Sequence, residues 1–218
     1  MIATDLFASL PAVAREDEPL GEGAVVLRGF ALADEVPLLR AIEAIATQAP
    51  FRHLLTPGGL RMSVAMTNAG SLGWISDRRG YRYESLDPRG GRPWPPMPEV
   101  FQRLATAAAS RAGFAGFAPD ACLVNRYAPG TRLSLHQDRD ERDYNHPIVS
   151  VSLGIPAVFL FGGPRRTDPV RRVPLVHGDV VVWGGPARLH HHGVLALKPG
   201  QHAMLGEARI NLTFRRAG

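Results

Sequence analysis

The 218-residue sequence predicts a mainly β chain, a barrel or double-sheet jelly roll, with two helices in its N-terminal half. Three observations predict it. From residue 120 onward, short apolar runs recur at regular spacing, split by Pro-Gly, Gly-Gly and Asp/Asn turns, as antiparallel sheets require. Arg209 to Arg215 alternates strictly: Ile210, Leu212 and Phe214 on one face, Arg209, Asn211, Thr213 and Arg215 on the other. That period of two marks a strand with one packed and one polar face. Two upstream stretches carry the helical period instead.

Taken in order, residues 1–20 read as a loose arm, and 21–218 as a single domain. A strand is expected at 24–30. Asp34 suits a helix N-cap, with Glu35 and Pro37 in the first turn of a helix over 35–48. Its expected apolar stripe runs through Val36, Leu39, Ile42 and Ala46. Residues 50–97 are rich in Gly, Pro and aromatics, including Trp74, Tyr81, Tyr83 and Trp94. A second helix, over 98–112, opens on Pro98 and stops at Gly113, with Val100, Phe101, Leu104, Ala105 and Ala108 as its stripe. Residues 120–218 form the β core. No internal repeat or low-complexity tract interrupts the chain.

Composition narrows the class. Hydrophobic residues make up 45% and charged residues 21%, ordinary values for a folded soluble domain. The net charge of +5 favours an anionic partner such as nucleic acid. That signal is modest, because only Lys198 among the basic residues is a lysine and the rest are arginine. Cys122 is the only cysteine, so an intrachain disulfide and a cysteine-rich zinc site are excluded. The N-terminus lacks a basic segment followed by an apolar one. The longest largely apolar stretch, 148–161, is too short to span a bilayer. The expectation is a cytoplasmic protein without membrane contact.

The chemistry concentrates in His136-Gln137-Asp138. At a strand end, positions 136 and 138 point to one side. An imidazole and a carboxylate then converge, and the distant His192 completes a 2-His-1-carboxylate set, which suits Fe(II) with open positions. Alone, a His-x-Asp pair is more often a surface accident. The polar face of 209–215 adds weight, because paired arginines suit a dicarboxylate. Arg209 and Arg215 stand about 20 Å apart along an extended strand, so one is expected to anchor the ligand and the other to assist near the metal. Asn125 and Tyr127 share one side of the run 123–127.

These runs carry a family resemblance. Asn125 to Gly130, Leu133 to Asp138, Ile148 to Gly154, His177 to Gly185 and Asn211 to Arg215 resemble bacterial AlkB, the Fe(II)/2-oxoglutarate dioxygenases that repair alkylated nucleobases. The likeness extends upstream through Thr56 to Gly59, Met62 to Asn68, Leu72 to Trp74 and Asp120 to Cys122. It covers nearly the whole chain from about residue 20.

The resemblance implies a double-stranded β-helix supported by N-terminal helices, with 50–97 as a nucleotide-recognition lid. It implies Fe(II) on His136, Asp138 and His192, with 2-oxoglutarate and O₂ as co-substrates. It places 2-oxoglutarate against Asn125, Tyr127, Arg209, Asn211 and Arg215, and Arg215 is expected on the distal carboxylate. Substrate contacts fall to Trp74, Tyr81, Arg82, Tyr83, Asp140 and Arg166. The implied reaction is oxidative demethylation of bases such as 1-methyladenine and 3-methylcytosine, releasing formaldehyde, succinate and CO₂. The partner is methylated single- or double-stranded DNA, with RNA as an alternative, acted on by a monomer. A buried lesion must be flipped out or presented single-stranded.

One departure stands out. Where the family pattern has aromatics before its last metal histidine, this chain reads His190-His191-His192-Gly193. His190 is expected to line the pocket. His53, His146, His177 and His202 read as ordinary histidines, Trp94 and Tyr83 as packing, and the acidic stretch 138–143 as a solvated loop. Two other readings stay open: a 2-oxoglutarate-dependent hydroxylase of a small molecule or protein, and a catalytically silent binding module.

Overall fold

A computed structural model describes residues 16–218. The chain runs through β1 (Glu18–Gly21), β2 (Ala24–Leu27), α1 (Glu35–Gln48), β3 (Arg52–Leu55), β4 (Arg61–Gly70), β5 (Gly73–Asp77) and β6 (Gly80–Glu84). It continues through α2 (Glu99–Arg111), β7 (Ala121–Tyr127), β8 (Leu133–His136), β9 (Ile148–Gly154) and β10 (Ala157–Phe161). The last strands are β11 (Arg171–Leu175), β12 (Val180–Trp183), β13 (His192–Val194) and β14 (Arg209–Arg215).

Two antiparallel sheets face each other, as the alternating runs require. The larger has the order β1-β2-β12-β9-β14-β7-β4-β3, the smaller β11-β10-β13-β8. The alternation of β14 decides the layering. Ile210, Leu212 and Phe214 pack against the helices with Leu38, Ile42, Phe101 and Leu104. Phe101 meets Phe214 edge to face at 5.6 Å. The opposite face of the larger sheet joins the smaller one through Leu123, Tyr127, Phe159, Phe161, Trp183 and Val194. This second layer holds the polar face of β14.

Three boundaries differ from expectation. Residues 1–15 of the expected arm lie outside the described residues, but Glu18–Gly21 is a strand, held against β2 by hydrogen bonds. The segment 50–97 is not a separate lid throughout. β3 and β4 belong to the large sheet, and only β5–β6 form their own two-stranded sheet. In α1 the buried set is Leu38, Ile42 and Ile45, while Val36 is 43% exposed. Apolar residues lie on several sides of this helix, so periodicity permits more than one face and packing selects. Asp34 caps no backbone N–H; its carboxylate binds Arg103 of α2 instead.

Candidate active site

Strand register builds the first cluster. β13 lies antiparallel to β8 with His192 opposite His136, and their rings are 4.4 Å apart. Gly193 permits this approach, since a Cβ there would stand 2.7 Å from the Leu133 carbonyl oxygen. Asp138 follows two residues after His136. Its Oδ1 lies 3.6 Å from His136 Nε2 and its Oδ2 3.7 Å from His192 Nε2. His136 Nδ1 is 2.9 Å from the Ser134 carbonyl and His192 Nδ1 3.1 Å from the His190 carbonyl. A carbonyl only accepts, so both Nδ1 atoms carry the proton and both Nε2 lone pairs are free for a metal. Burial pushes His192 down to about 3, helped by His136. Burial alone would raise the Asp138 carboxyl, but Arg215 and the two imidazoles outweigh it and hold Asp138 well below the usual range. The site therefore holds neutral imidazoles and an ionised carboxylate.

A second cluster of Glu35, His177 and His202 has similar spacing but opposite polarity. The Gly154 N–H donates to His177 Nδ1 at 2.9 Å, and the Met204 N–H to His202 Nδ1 at 3.3 Å. In the neutral rings the proton then sits on Nε2, where it blocks a metal. His177 Nε2 lies 3.2 Å from a Glu35 oxygen but forms no hydrogen bond with it. Hydrogen-bond direction separates two clusters that spacing alone does not.

The polar face of β14 supplies an anion site. Arg209 is 1% exposed and lies over the Tyr127 ring at 4.9 Å. Its Nε donates to Ser152 Oγ at 3.1 Å, and its Nη1 is buried without a partner. Among the described residues no carboxylate lies within ion-pair distance of it. A buried, uncompensated guanidinium is costly, so the site calls for an anion. Asn125 Oδ1 is likewise buried and unpartnered. Asn211 is occupied: its Nδ2 donates to Ser150 and Val151, and its Oδ1 accepts from Thr213. Arg215 is occupied too. Its Nε and Nη2 donate to Asp138 Oδ2 at 2.9 and 2.6 Å. Arg215, expected on the distal carboxylate, thus stands beside Asp138 in this structure. Arg215 pairs with Asp138, and Arg209 is the buried arginine without an acidic partner among the described residues.

The β5–β6 hairpin brings some of the expected substrate residues to this end. Trp74 stacks on Tyr81 at 5.5 Å and donates from Nε1 to Asp140 Oδ2 at 2.7 Å. Gly73 gives Trp94 room, since a Cβ there would stand 2.4 Å from its ring. Arg166 reaches the Leu135 carbonyl with Nη1 at 2.7 Å, beside His136. Arg82 goes elsewhere. It alternates to the other face of β6 and pairs with Asp77 and Glu84. His190 packs on Phe161 at 5.4 Å, with its Nδ1 buried and unpartnered; its carbonyl, rather than its ring, serves the cluster.

The acidic stretch is not simply a solvated loop. Glu141 is buried, 3.2 Å from Arg215 Nε and 3.1 Å from Arg188 Nη2, and it accepts from Tyr83 OH at 2.8 Å. Neither Glu141 nor Arg188 carries a sequence signal, because a buried acid in a charged run looks like its solvated neighbours. Tyr83 is thus more than packing, whereas Trp94 is buried core with Nε1 on the Glu84 carbonyl.

Comparison with known proteins fits this geometry. The profile of the 2OG-Fe(II) oxygenase superfamily matches residues 23–215. The alpha-ketoglutarate-dependent dioxygenase AlkB of Escherichia coli (strain K12) is 57% identical over 92% of this chain and 93% of its own length. That of Salmonella typhimurium is 58% identical over 98% of this chain and 97% of its own. The solved structure of OsALKBH1 superposes with a TM-score of 0.81 at 31% identity, covering 92% of this chain and all of that one.

Proposed function

The chain belongs to the AlkB family of 2OG-Fe(II) oxygenases, and from that membership we propose that it removes methyl groups from alkylated nucleobases by oxidation. It is an Fe(II)- and 2-oxoglutarate-dependent dioxygenase. The residues present suit both groups. His136 and His192 offer Nε2 lone pairs and Asp138 an ionised carboxylate. Arg215 occupies Asp138 Oδ2, which leaves Oδ1 as the oxygen for a metal. Iron with 2-oxoglutarate and O₂ supplies the oxidation of a C–H bond on the N-methyl group, which the protein itself cannot perform.

The chain's own residues do the rest. Arg209, with Tyr127 and Ser152 around it, holds the distal carboxylate of 2-oxoglutarate, and Asn125 Oδ1 is left for a donor. Burial of this layer excludes water and strengthens each charge-assisted contact. Trp74 and Tyr81 offer a stacking surface for a flipped base, and Asp140 Oδ1 remains free to accept from an exocyclic amino group. Arg166 stands beside His136, where a nucleotide phosphate can meet it. The demethylated base leaves with formaldehyde, succinate and CO₂ as co-products. The substrate is methylated DNA, single- or double-stranded, with RNA as an alternative. The enzyme works as a cytoplasmic monomer; no helix among the described residues is long and apolar enough to cross a membrane.

The observation that carries the reading is the buried Arg209, without an acidic partner among the described residues, on the sheet that faces two imidazoles with free Nε2 atoms. The test is formaldehyde release from oligonucleotides carrying 1-methyladenine or 3-methylcytosine, beside a panel of small acids and peptides. Release from the oligonucleotides is expected. Turnover confined to the panel would refute the nucleic-acid substrate.

A further inference from the structure

The β5–β6 hairpin, a two-stranded sheet of its own, bonds to the loop that follows Asp138 through two side chains. Trp74 Nε1 reaches Asp140, and Tyr83 OH donates to Glu141 Oε1 at 2.8 Å. The second bond enters a buried network. Arg215 Nε lies 3.2 Å from Glu141 Oε1 and 2.9 Å from Asp138 Oδ2. The guanidinium thus stands between two carboxylates, donating to Asp138 while Tyr83 OH donates to the nearer oxygen of Glu141. Arg188 Nη2 lies 3.1 Å from Glu141 Oε2 on the far side, an ion pair without a hydrogen bond. Arg188 is itself held by the carbonyls of His146 and Asp138. Glu141 lies within ion-pair distance of both arginines but among the described residues accepts a hydrogen bond only from Tyr83, so the variable is which donor holds its Oε1.

We propose that Tyr83 and Glu141 are positioning residues through which the seating of the hairpin sets the grip of Arg215 on Asp138, so that turnover of 2-oxoglutarate is tied to a seated nucleotide. The inference rests on the nucleic-acid reading above. With Tyr83 in place, Glu141 is partly satisfied and Arg215 stays on Asp138 Oδ2. When the hairpin moves out, Glu141 loses a donor and draws Arg215 Nε toward itself, and Asp138 is released. Charge-assisted hydrogen bonds in a dry site are strong enough for such a competition.

The two ends of the relay give opposite signatures. Full-length protein with Fe(II) and 2-oxoglutarate is followed without oxygen by its visible charge-transfer band. The band is read before and after addition of a single-stranded oligonucleotide carrying 1-methyladenine. Succinate formation is then measured in air with and without the oligonucleotide. Wild type is expected to shift its band and to accelerate on addition. Tyr83→Phe loses only the hydroxyl. It should lose the shift, and its acceleration should fall about fivefold, the scale of one hydrogen bond. Glu141→Gln no longer attracts Arg215, so its rate without oligonucleotide should rise. If Glu141→Gln does not fold, Tyr83→Phe carries the test. A Tyr83→Phe protein that keeps the full shift and acceleration overturns the relay alone. A wild type that neither binds nor responds to the oligonucleotide overturns the nucleic-acid reading and the relay with it.

Discussion

At the scale of single residues, the direction of a hydrogen bond decides more than spacing does. His136 and His192 each turn Nδ1 to a carbonyl, so their Nε2 atoms are ready to ligate without rearrangement. His136→Ala, Asp138→Ala and His192→Ala should each abolish formaldehyde release in folded protein. His191→Ala should retain it, because its Nδ1 turns away to the Gly163 carbonyl. Loss of activity in His191→Ala with retention in His192→Ala would overturn the ligand assignment. The two arginines should separate as sharply. Removing one partner of a buried charge-assisted pair costs about 2–5 kcal/mol. Arg209→Ala should therefore raise the KM for 2-oxoglutarate at least about thirtyfold, far more than that for oligonucleotide. Lysine should rescue only partly, since it lacks the planar fork. Arg215→Ala should instead weaken Fe(II) binding, read by titration of the charge-transfer band, because it strips Asp138 of its guanidinium. Equal effects of both variants on 2-oxoglutarate and on metal would refute this division.

At the scale of elements, β14 was readable in advance because its period of two is uninterrupted and each face meets a different layer. The two helices were readable as elements, but the buried face of α1 was not. Its sequence offers apolar residues on several sides, and only contact with the sheet and α2 chooses Leu38, Ile42 and Ile45. The metal set was legible from His136-x-Asp138 with His192. The contact of Arg215 with Asp138 was not, because alternation places both arginines on one face without saying which lies beside Asp138. Glu141 and Arg188 were invisible for a similar reason: a residue's charge does not reveal whether it is buried. The hairpin stands between these cases. Its aromatics were evident, yet the split between Tyr81 and Tyr83 on one face and Arg82 on the other follows only from the pairing of β6 with β5. Stacking of a base on an aromatic ring is worth about 1–3 kcal/mol. Trp74→Ala should therefore slow oligonucleotide demethylation roughly ten- to a hundredfold, while Fe(II) and 2-oxoglutarate still give their charge-transfer band. Unchanged demethylation would mean that Trp74 is only packing for Tyr81.

For the whole molecule, the buried polar layer between the sheets links stability to pH. His192 is pushed from 6.5 down to about 3 in the folded state, and burial lowers His177 and His190 as well. Below pH 6.5 the unfolded chain takes up protons that the folded chain refuses. Stability therefore rises with pH through this window and falls as the pH drops toward 3. Asp138 is held well below its ordinary 3.8, so its contribution is complete above that value and is lost only at still lower pH. The two groups act in one direction over adjoining ranges. Metal-free protein should thus show a denaturation midpoint that falls steadily from pH 7 to pH 4. Part of this slope belongs to any basic chain gaining positive charge, and His192→Asn separates the two. One proton taken up on unfolding accounts for at most about 1.4 kcal/mol per pH unit. The variant should lose a share of the slope up to that size between pH 6 and 4. Its slope above pH 7 should match wild type, because there neither state protonates the imidazole. Parallel curves for wild type and variant across pH 4–6 would show that His192 accepts a proton in the folded protein. The neutral, metal-ready imidazole deduced from the His190 carbonyl contact would then be wrong.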